Sequence, residues 1–297
     1  MSETETNKDP WTVLRLLEWT TDFFKQKGSD SARLDAEILL AHARECSRVE
    51  LYTAFAEEPT IEQRTAFREM IRRRGEGTPV AQLVGYKEFY SLRFRVDEHV
   101  LIPRPETEHL VIEALDVAKT LDIGERPIQI ADIGTGSGAI AVTLAKHLTG
   151  ARLTAVDRSE AALKIARWNA EQHKVDSQIN FAISDLLSSI DSPELFDMIC
   201  SNPPYVSESE FAELDSDVRD HEPREALVSG PSGTETIERI VHESPARLHS
   251  GGRLMIELSP MIADKCEQMV IDHDAYREER FIKDLEGNRR ILSVMRV

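Results

Sequence analysis

Apolar residues recur every three or four positions early in the chain and alternate or run unbroken later, and this change of period divides the sequence. In WTVLRLLEWTTDFF, Leu14, Leu17 and Phe24 stand at helical spacing. A second helix is announced by GSDSARLDAEILLAHA, where Ser29, Asp30 or Ser31 is placed to cap the first turn. A third follows in TIEQRTAFREMIRRR, with Thr60 as N-cap and Glu62 and Gln63 close behind. Residues 1–85 therefore read as a small all-α domain, punctuated at its end by Gly75 and Gly77. After Pro79, EFYSLRFRVDE alternates and is rich in aromatic residues, which predicts a β-hairpin; residues 86–103 are assigned to this linker.

LIPRPETEHLVIEAL is a proline-interrupted loop entering a helix near Glu106. Beyond it the pattern predicts strands at 128–133, 153–156, 179–183, 196–201, 253–258, 281–284 and 291–295. Helices lie between them, including 139–147, 160–173 and 234–248. Such alternation across 104–297 predicts an α/β domain, its mostly parallel sheet covered on both faces.

Composition narrows the function classes. A chain of 297 residues with 41% hydrophobic and 30% charged positions has the balance of a folded globular protein. Its net charge of −17 disfavours a binder of naked nucleic acid, whose affinity rests on neutralising phosphates. Arg72-Arg73-Arg74 is the longest basic run and reads as a solvated helix face. A protein or small-molecule substrate is favoured. No apolar stretch approaches the roughly 20 residues that span a bilayer, and MSETETNKDP has neither half of a secretory signal. Cys46, Cys200 and Cys266 form no CxxC pair and read as reduced thiols, so a cytoplasmic location is expected, with no metal site.

Candidate chemistry begins at IADIGTGSGAIAVTLA. Gly134, Gly136 and Gly138 lie between a strand and a helix, where glycine lets a ligand approach the backbone. Two ligand classes compete. Gly134-x-Gly136-x-x-Ala139, with Asp157 at the distance of a ribose-binding acid, formally matches a dinucleotide fingerprint. Yet Asp132, Asp157 and Asp185 stand at the ends of three successive strands. That acidic rim suits a cationic ligand without phosphate, such as S-adenosylmethionine. On this reading Asp132 holds water or the ligand's amino group, Asp157 accepts the ribose hydroxyls and Asp185 takes the adenine amine.

FDMICSNPPYVSESE supplies the other half of a site. A buried strand stops at Asn202-Pro203-Pro204-Tyr205, because neither proline can donate to a ladder. The Asn202 side-chain oxygen and the Pro203 carbonyl can then take both hydrogens of a planar amine, with Tyr205 against its face. Binding both hydrogens favours a localised lone pair, and positioning supplies most of the rate gain.

ADIGTGSG, AVD and SNPPY together resemble a class I S-adenosylmethionine-dependent methyltransferase acting on a planar nitrogen. GYKEFYSLRFRVDEHVLIPRPETEHLV and HEPREALVSG are more specific: they resemble the release-factor glutamine methyltransferases (PrmC/HemK family), over nearly the whole chain. The resemblance implies a Rossmann-like sheet with an antiparallel terminal strand, and a helical N-terminal domain that recognises substrate. It implies N5 methylation of the GGQ glutamine in class I peptide chain release factors. It also implies that Gly134, Thr135, Gly136, Ser137, Gly138, Asp157, Asp185, Leu186 and Asn202 hold the cofactor, and that Asn202, Pro203, Pro204 and Tyr205 hold the glutamine amide. Leu186 departs from relatives that carry tryptophan there. Arg104, Glu106 and Glu108 match a hallmark of the family and are assignable to the site wall or to loop ordering, with a plain pair of helix N-terminal acids as the alternative for Glu106 and Glu108. The rivals are an adenine-N6 nucleic-acid methyltransferase, which must flip a base, a docking protein that merely binds the cofactor, and an NAD-dependent dehydrogenase.

Overall fold

In a computed structural model, residues 10–190 and 195–297 are described, and the chain divides into two compact units, 1–85 and 86–297. The first holds α1 (Val13–Gln26), α2 (Ala32–Ala43), α3 (Arg48–Thr53), α4 (Ile61–Gly75) and α5 (Val80–Val84). In α1 the buried stripe is Val13, Leu16, Leu17, Thr20, Thr21 and Phe24. Leu14 lies outside it, 37% exposed, because the stripe is centred one residue earlier than the apolar letters suggest. Thr60 caps α4 in a capping box with Gln63, as its spacing predicts. Ser31 occupies the N-cap of α2 without accepting a backbone amide. Its hydroxyl instead donates to Asp35, which also accepts from Ser29 and from Arg74. The basic run is thus partly neutralised, since Arg72 pairs with Glu69 and Glu76. Buried Glu37 is gripped by Arg33, Arg48 and Tyr52. Burial pushes its carboxyl up, but these donors outweigh burial and hold it below the usual carboxylate range.

The second unit opens with the hairpin β1 (Tyr86–Phe89) and β2 (Leu92–Arg95). Tyr90 and Ser91 turn it with φ of 49° and 60°, the left-handed pair that matches strand twist. Glu108 accepts the Tyr90 amide hydrogen and ties this strained turn down. Phe89 and Phe94 are buried in the same core cluster as Leu110, Ala141 and Leu163, so the hairpin is packed into this unit.

The sheet follows: α6 (Thr107–Thr120), β3 (Gln129–Ile133), α7 (Ala139–His147), β4 (Arg152–Asp157), α8 (Glu160–His173), β5 (Ile179–Ile183) and β6 (Phe196–Ser201). After β6 come β7 (Val206–Ser207), α9 (Glu208–Phe211), α10 (Ser216–Arg219), α11 (Arg224–Leu227), β8 (Val228–Gly230) and α12 (Glu235–Glu243). The chain ends with β9 (Leu248–Glu257), α13 (Ala263–Ile271), β10 (Tyr276–Lys283) and β11 (Arg289–Arg296). The seven-stranded sheet runs β10-β11-β9-β6-β3-β4-β5. It is parallel except for β11, which is antiparallel to both its neighbours. Alternate residues of β3 divide between two cores: Ile130 faces Met198, Cys200 and Met255, while Ala131 and Ile133 face Ile199, Leu254 and Ile256. All six residues of β6 are buried, as expected for a strand covered on both sides.

Three boundaries differ from the sequence pattern. β10 begins at Tyr276 rather than 281, its first half being mostly exposed charged residues that carry no apolar signal. The helix expected over 234–248 stops at Glu243 and passes through a 3₁₀ turn at Ser244–Ala246, because Pro245 cannot continue it. β9 begins at Leu248 rather than 253: Ser250-Gly251-Gly252 reads as a turn but forms an irregularity inside the strand, where Gly251 takes φ of +82°. Helix α13 and the short β7–β8 pair carry too few periodic residues to be read beforehand.

Among the described residues no helix is long and apolar enough to cross a membrane.

Candidate active site

The carboxyl ends of β3, β4, β5 and β6 open on one cavity of about 620 Å³, lined by Gly134, Thr135, Gly136, Ser137, Asp157, Asp185, Leu186, Asn202 and Pro204. This is the edge of an open α/β sheet where ligands bind, and the volume suits a small organic molecule. Of the residues singled out in the sequence, Asp132, Gly138, Pro203, Tyr205, Glu106 and Glu108 are not on its wall.

Asp132 is fully buried beneath the glycine loop. Its Oδ2 accepts the Thr135 hydroxyl at 2.6 Å and the Ala141 amide at 3.1 Å, bracing the loop against the first turn of α7. Oδ1 is buried without a partner among the described residues. Desolvation pushes the Asp132 carboxyl up to about 7, against those two donors. Gly138 serves packing: with φ of +82°, an added Cβ would lie 3.1 Å from the Ala166 Cβ of α8. Gly134 is different, since its missing Cβ would meet nothing within 4 Å, leaving a cradle open to a ligand.

The loop's amides discriminate between the two ligand classes. Gly134 and Thr135 both donate to the Val156 carbonyl, Gly138 to the Thr135 carbonyl, and Gly136 to Asp157 Oδ2 at 2.9 Å. These N–H groups are spent inside the protein rather than aimed at a pyrophosphate, and a carboxylate stands where that anion would sit. Asp157 Oδ1 accepts the Ser159 amide, which fixes the carboxylate plane and leaves lone pairs for hydroxyl donors.

Asp185 sits exposed at the rim. Arg239 holds both its oxygens, at 3.1 and 2.9 Å, and keeps its carboxyl below the usual range. Leu186 takes φ of 52° and packs partly onto the core behind it. On the facing wall, Asn202 donates its Nδ2 hydrogen to Thr107 Oγ1 at 3.0 Å, so its Oδ1 end is turned away from that contact. Tyr205 packs onto the second core cluster, and burial raises its phenol pKa well above the ordinary value. The chain beyond it is stitched down by β7–β8 pairing.

Arg104, named from the sequence for the site wall, does line the cavity, and its partner, the buried Glu222, which also accepts the Ile102 amide, was not singled out. Other contributing residues were also missed. Asn169, fully buried in α8, accepts from the Arg95 amide and donates to the Arg95 and Ser137 carbonyls. One carboxamide therefore joins the hairpin to the glycine loop. Its signal was a polar residue on the apolar stripe of Ala162, Ile165, Ala166 and Ala170. Thr107 and Glu257 complete the ground beneath Asn202. Glu257 showed itself only as a lone acid in the apolar run LMIEL.

The PrmC N-terminal domain family matches residues 15–85, and the methyltransferase small domain family matches residues 109–217. The release factor glutamine methyltransferase of Rhodopirellula baltica is 58% identical over 297 residues, all of both chains. That of Chlorobaculum tepidum is 44% identical, over 84% of this chain and 85% of its own. Among solved structures, the hMettl16 catalytic domain in complex with a 3′UTR hairpin superposes with a TM-score of 0.54. At 18% identity, over 70% of this chain and 75% of that one, it speaks to the fold alone. Full-length identity of this order, on a chain with both matching domains, is decisive: the protein belongs to the release factor glutamine methyltransferase family.

Proposed function

We propose that the protein transfers the methyl group of S-adenosylmethionine to the N5 side-chain amide of the GGQ glutamine in class I peptide chain release factors. The observation that carries this reading is the Asn202 carboxamide, its nitrogen committed to Thr107, on the wall of a cavity whose opposite wall is the Asp157-braced glycine loop.

The residues present fit this cofactor. Gly134 leaves the necessary space, and Asp157 is set to accept two ribose hydroxyls. Asp185 and Leu186 flank the position assigned to adenine. When bound there, S-adenosylmethionine supplies an electrophilic methyl on a sulfonium sulfur. Asn202 Oδ1, on the cavity wall, is assigned one hydrogen of the glutamine amide, and the second is assigned to the carbonyl of Pro203, which lies between the wall residues Asn202 and Pro204 in the chain. Pro204 forms the wall beside it, and Tyr205, its phenol kept neutral by burial, backs that wall. An amide nitrogen gripped by both hydrogens is held at attack distance with its lone pair aimed, and this is where the rate gain arises. The nitrogen becomes strongly acidic once alkylated, so its proton leaves without a dedicated strong base.

For the helical unit we assign recognition of the protein substrate. A groove of about 570 Å³ there, with Trp11, Trp19 and Ile61 exposed beside Arg64 and Arg68, supports that assignment.

The test is incubation of the protein with methyl-labelled cofactor and two acceptors, a class I release factor and duplex DNA. Label on the factor's GGQ glutamine is expected; label on DNA alone overturns the reading in favour of an adenine-N6 enzyme.

A further inference from the structure

Part of the cavity wall comes from chain that follows β6: Arg224, Glu225 and Ala226 of α11, Ser229 of β8 and Arg239 of α12. This chain is fixed at both ends. Just before α11, the buried Glu222 accepts from Arg104 and the Ile102 amide. Further on, β8 pairs with β7, and Ile237 and Ile240 of α12 lie in the second core cluster. Between these anchors Arg224 and Glu225 are exposed.

Two ion pairs join this segment to the strand ends assigned to the cofactor. Arg158, the residue after β4, sets its Nη2 2.9 Å from Glu225 Oε2 and 3.5 Å from the Glu225 carbonyl. Asp185, two residues past β5, is held at both oxygens by Arg239, at 3.1 and 2.9 Å. One turn along α12, Glu243 steadies Arg239 from 3.5 Å. All four members of the two pairs line the cavity. The partners stand 67 and 54 positions apart, so neither pair is a by-product of a local turn or helix. Their side chains are 49 to 71% exposed, and ion pairs this wet contribute little to global stability. What they hold is the wall they border.

We infer that the Arg158–Glu225 and Asp185–Arg239 pairs tie the 224–239 segment as a strap across the cofactor's half of the cavity and set how long the cofactor stays bound, which makes Arg158, Glu225 and Arg239 positioning residues. Parting the strap from the strand ends breaks both pairs, so each slows passage through the opening. Entry and exit share that step, and both rates change more than the affinity. Arg239 takes two of the four lone-pair sites on Asp185 and leaves the others for adenine. The inference rests on the proposed seat of S-adenosylmethionine at the ends of β3, β4 and β5.

The test follows displacement of labelled S-adenosylhomocysteine from the full-length protein by excess unlabelled compound. At about 20 mM salt, Glu225→Gln is expected to speed release by about two- to fivefold, and Glu225→Gln with Arg239→Gln by about fivefold or more. Affinity of Glu225→Gln, measured by calorimetry, should stay within about twofold. Raising salt to about 0.5 M should bring the wild type close to the double variant, whose own rate barely responds. Glu225→Arg, which faces two cations, should release fastest of the single variants, and adding Arg158→Glu should return the rate to within about twofold of wild type. Release unchanged in every variant, or a reversed pair as fast as Glu225→Arg alone, overturns the inference. So does faster release matched by an equal loss of affinity, which makes Glu225 a direct ligand contact. A wild type that binds no S-adenosylhomocysteine overturns the proposed function instead.

Discussion

Arg104 and Glu222 lie 118 residues apart in sequence and meet at 2.6 Å, locking the loop before α6 to the segment before α11. Glu222 is almost wholly buried while Arg104 keeps 30% of its side chain exposed on the cavity wall. Removing the acid strands a partly buried guanidinium and the Ile102 amide. Glu222→Ala is therefore expected to cost about 2–3 kcal/mol, below the figure for a fully buried pair because Arg104 reaches water. Urea unfolding measures it, and methyl transfer should fall with it. A loss under about 0.5 kcal/mol would show that the pair holds nothing together.

Asn202→Ala removes the side-chain acceptor assigned to the substrate amide. Turnover is expected to drop by about 100-fold or more, while calorimetric affinity for S-adenosylmethionine stays within about twofold. Cofactor affinity lost in step with turnover would move Asn202 to the other side of the reaction.

Asp157→Ala should behave in the opposite way. The carboxylate accepts the Gly136 and Ser159 amides, and its remaining lone pairs face the cavity. Cofactor binding is expected to weaken by about 10- to 100-fold, the cost of losing charge-assisted hydrogen bonds. Unchanged affinity refutes the ribose assignment.

Asn169→Ala leaves the Ser137 carbonyl and both polar groups of the Arg95 backbone without their partner. With the side chain fully buried, about 2–4 kcal/mol of stability should be lost. Asn169→Asp should not rescue it, since a carboxylate cannot donate to the two carbonyls.

Asp132 gives stability a pH dependence of known sign. Its ordinary value is 3.8, and in the folded protein desolvation lifts it to about 7. Below about pH 4 both folded and unfolded chains hold the proton; between about 4 and 7 the unfolded chain releases it first, so this contribution to stability is lost as pH rises. The stability of Asp132→Asn relative to wild type should improve from about pH 4 to about pH 7 and level off above that. A constant difference between the two urea midpoints contradicts the burial argument.

Sequence pattern was a good guide wherever one local rule governs. β6 is an apolar run ended by two prolines, α4 begins on a capping box, and the hairpin alternates, and each appears where it was expected. The pattern failed where a local signal was overruled by neighbours. The glycines of β9 resemble a turn, yet pairing with β6 and β11 carries the strand through them. At the site, the glycine loop and the Asn-Pro-Pro-Tyr corner were legible because their chemistry is contiguous. Arg104–Glu222, Asn169 and Asn202–Thr107 were not, since each joins distant segments and gains meaning only when the fold brings them together. Asp132 shows the same limit from the other side. Its position at a strand end was read correctly, but only packing decides that its carboxylate points down into the core rather than out to a ligand.

The strand order separates two responsibilities along the polypeptide. Counting outward from the seam between β3 and β6, the stretch from Gln129 to Ile183 builds one bank of the cavity, and the stretch from Phe196 onward builds most of the other. The coenzyme is assigned to the former and the recipient nitrogen to the latter, so the methyl group crosses from one consecutive stretch of the chain to the next, across a seam that the paired β3 and β6 close. Recombination that swaps everything after β5 would be expected to retarget the donor without rebuilding its berth, which makes this seam the natural place to cut when grafting a new acceptor specificity.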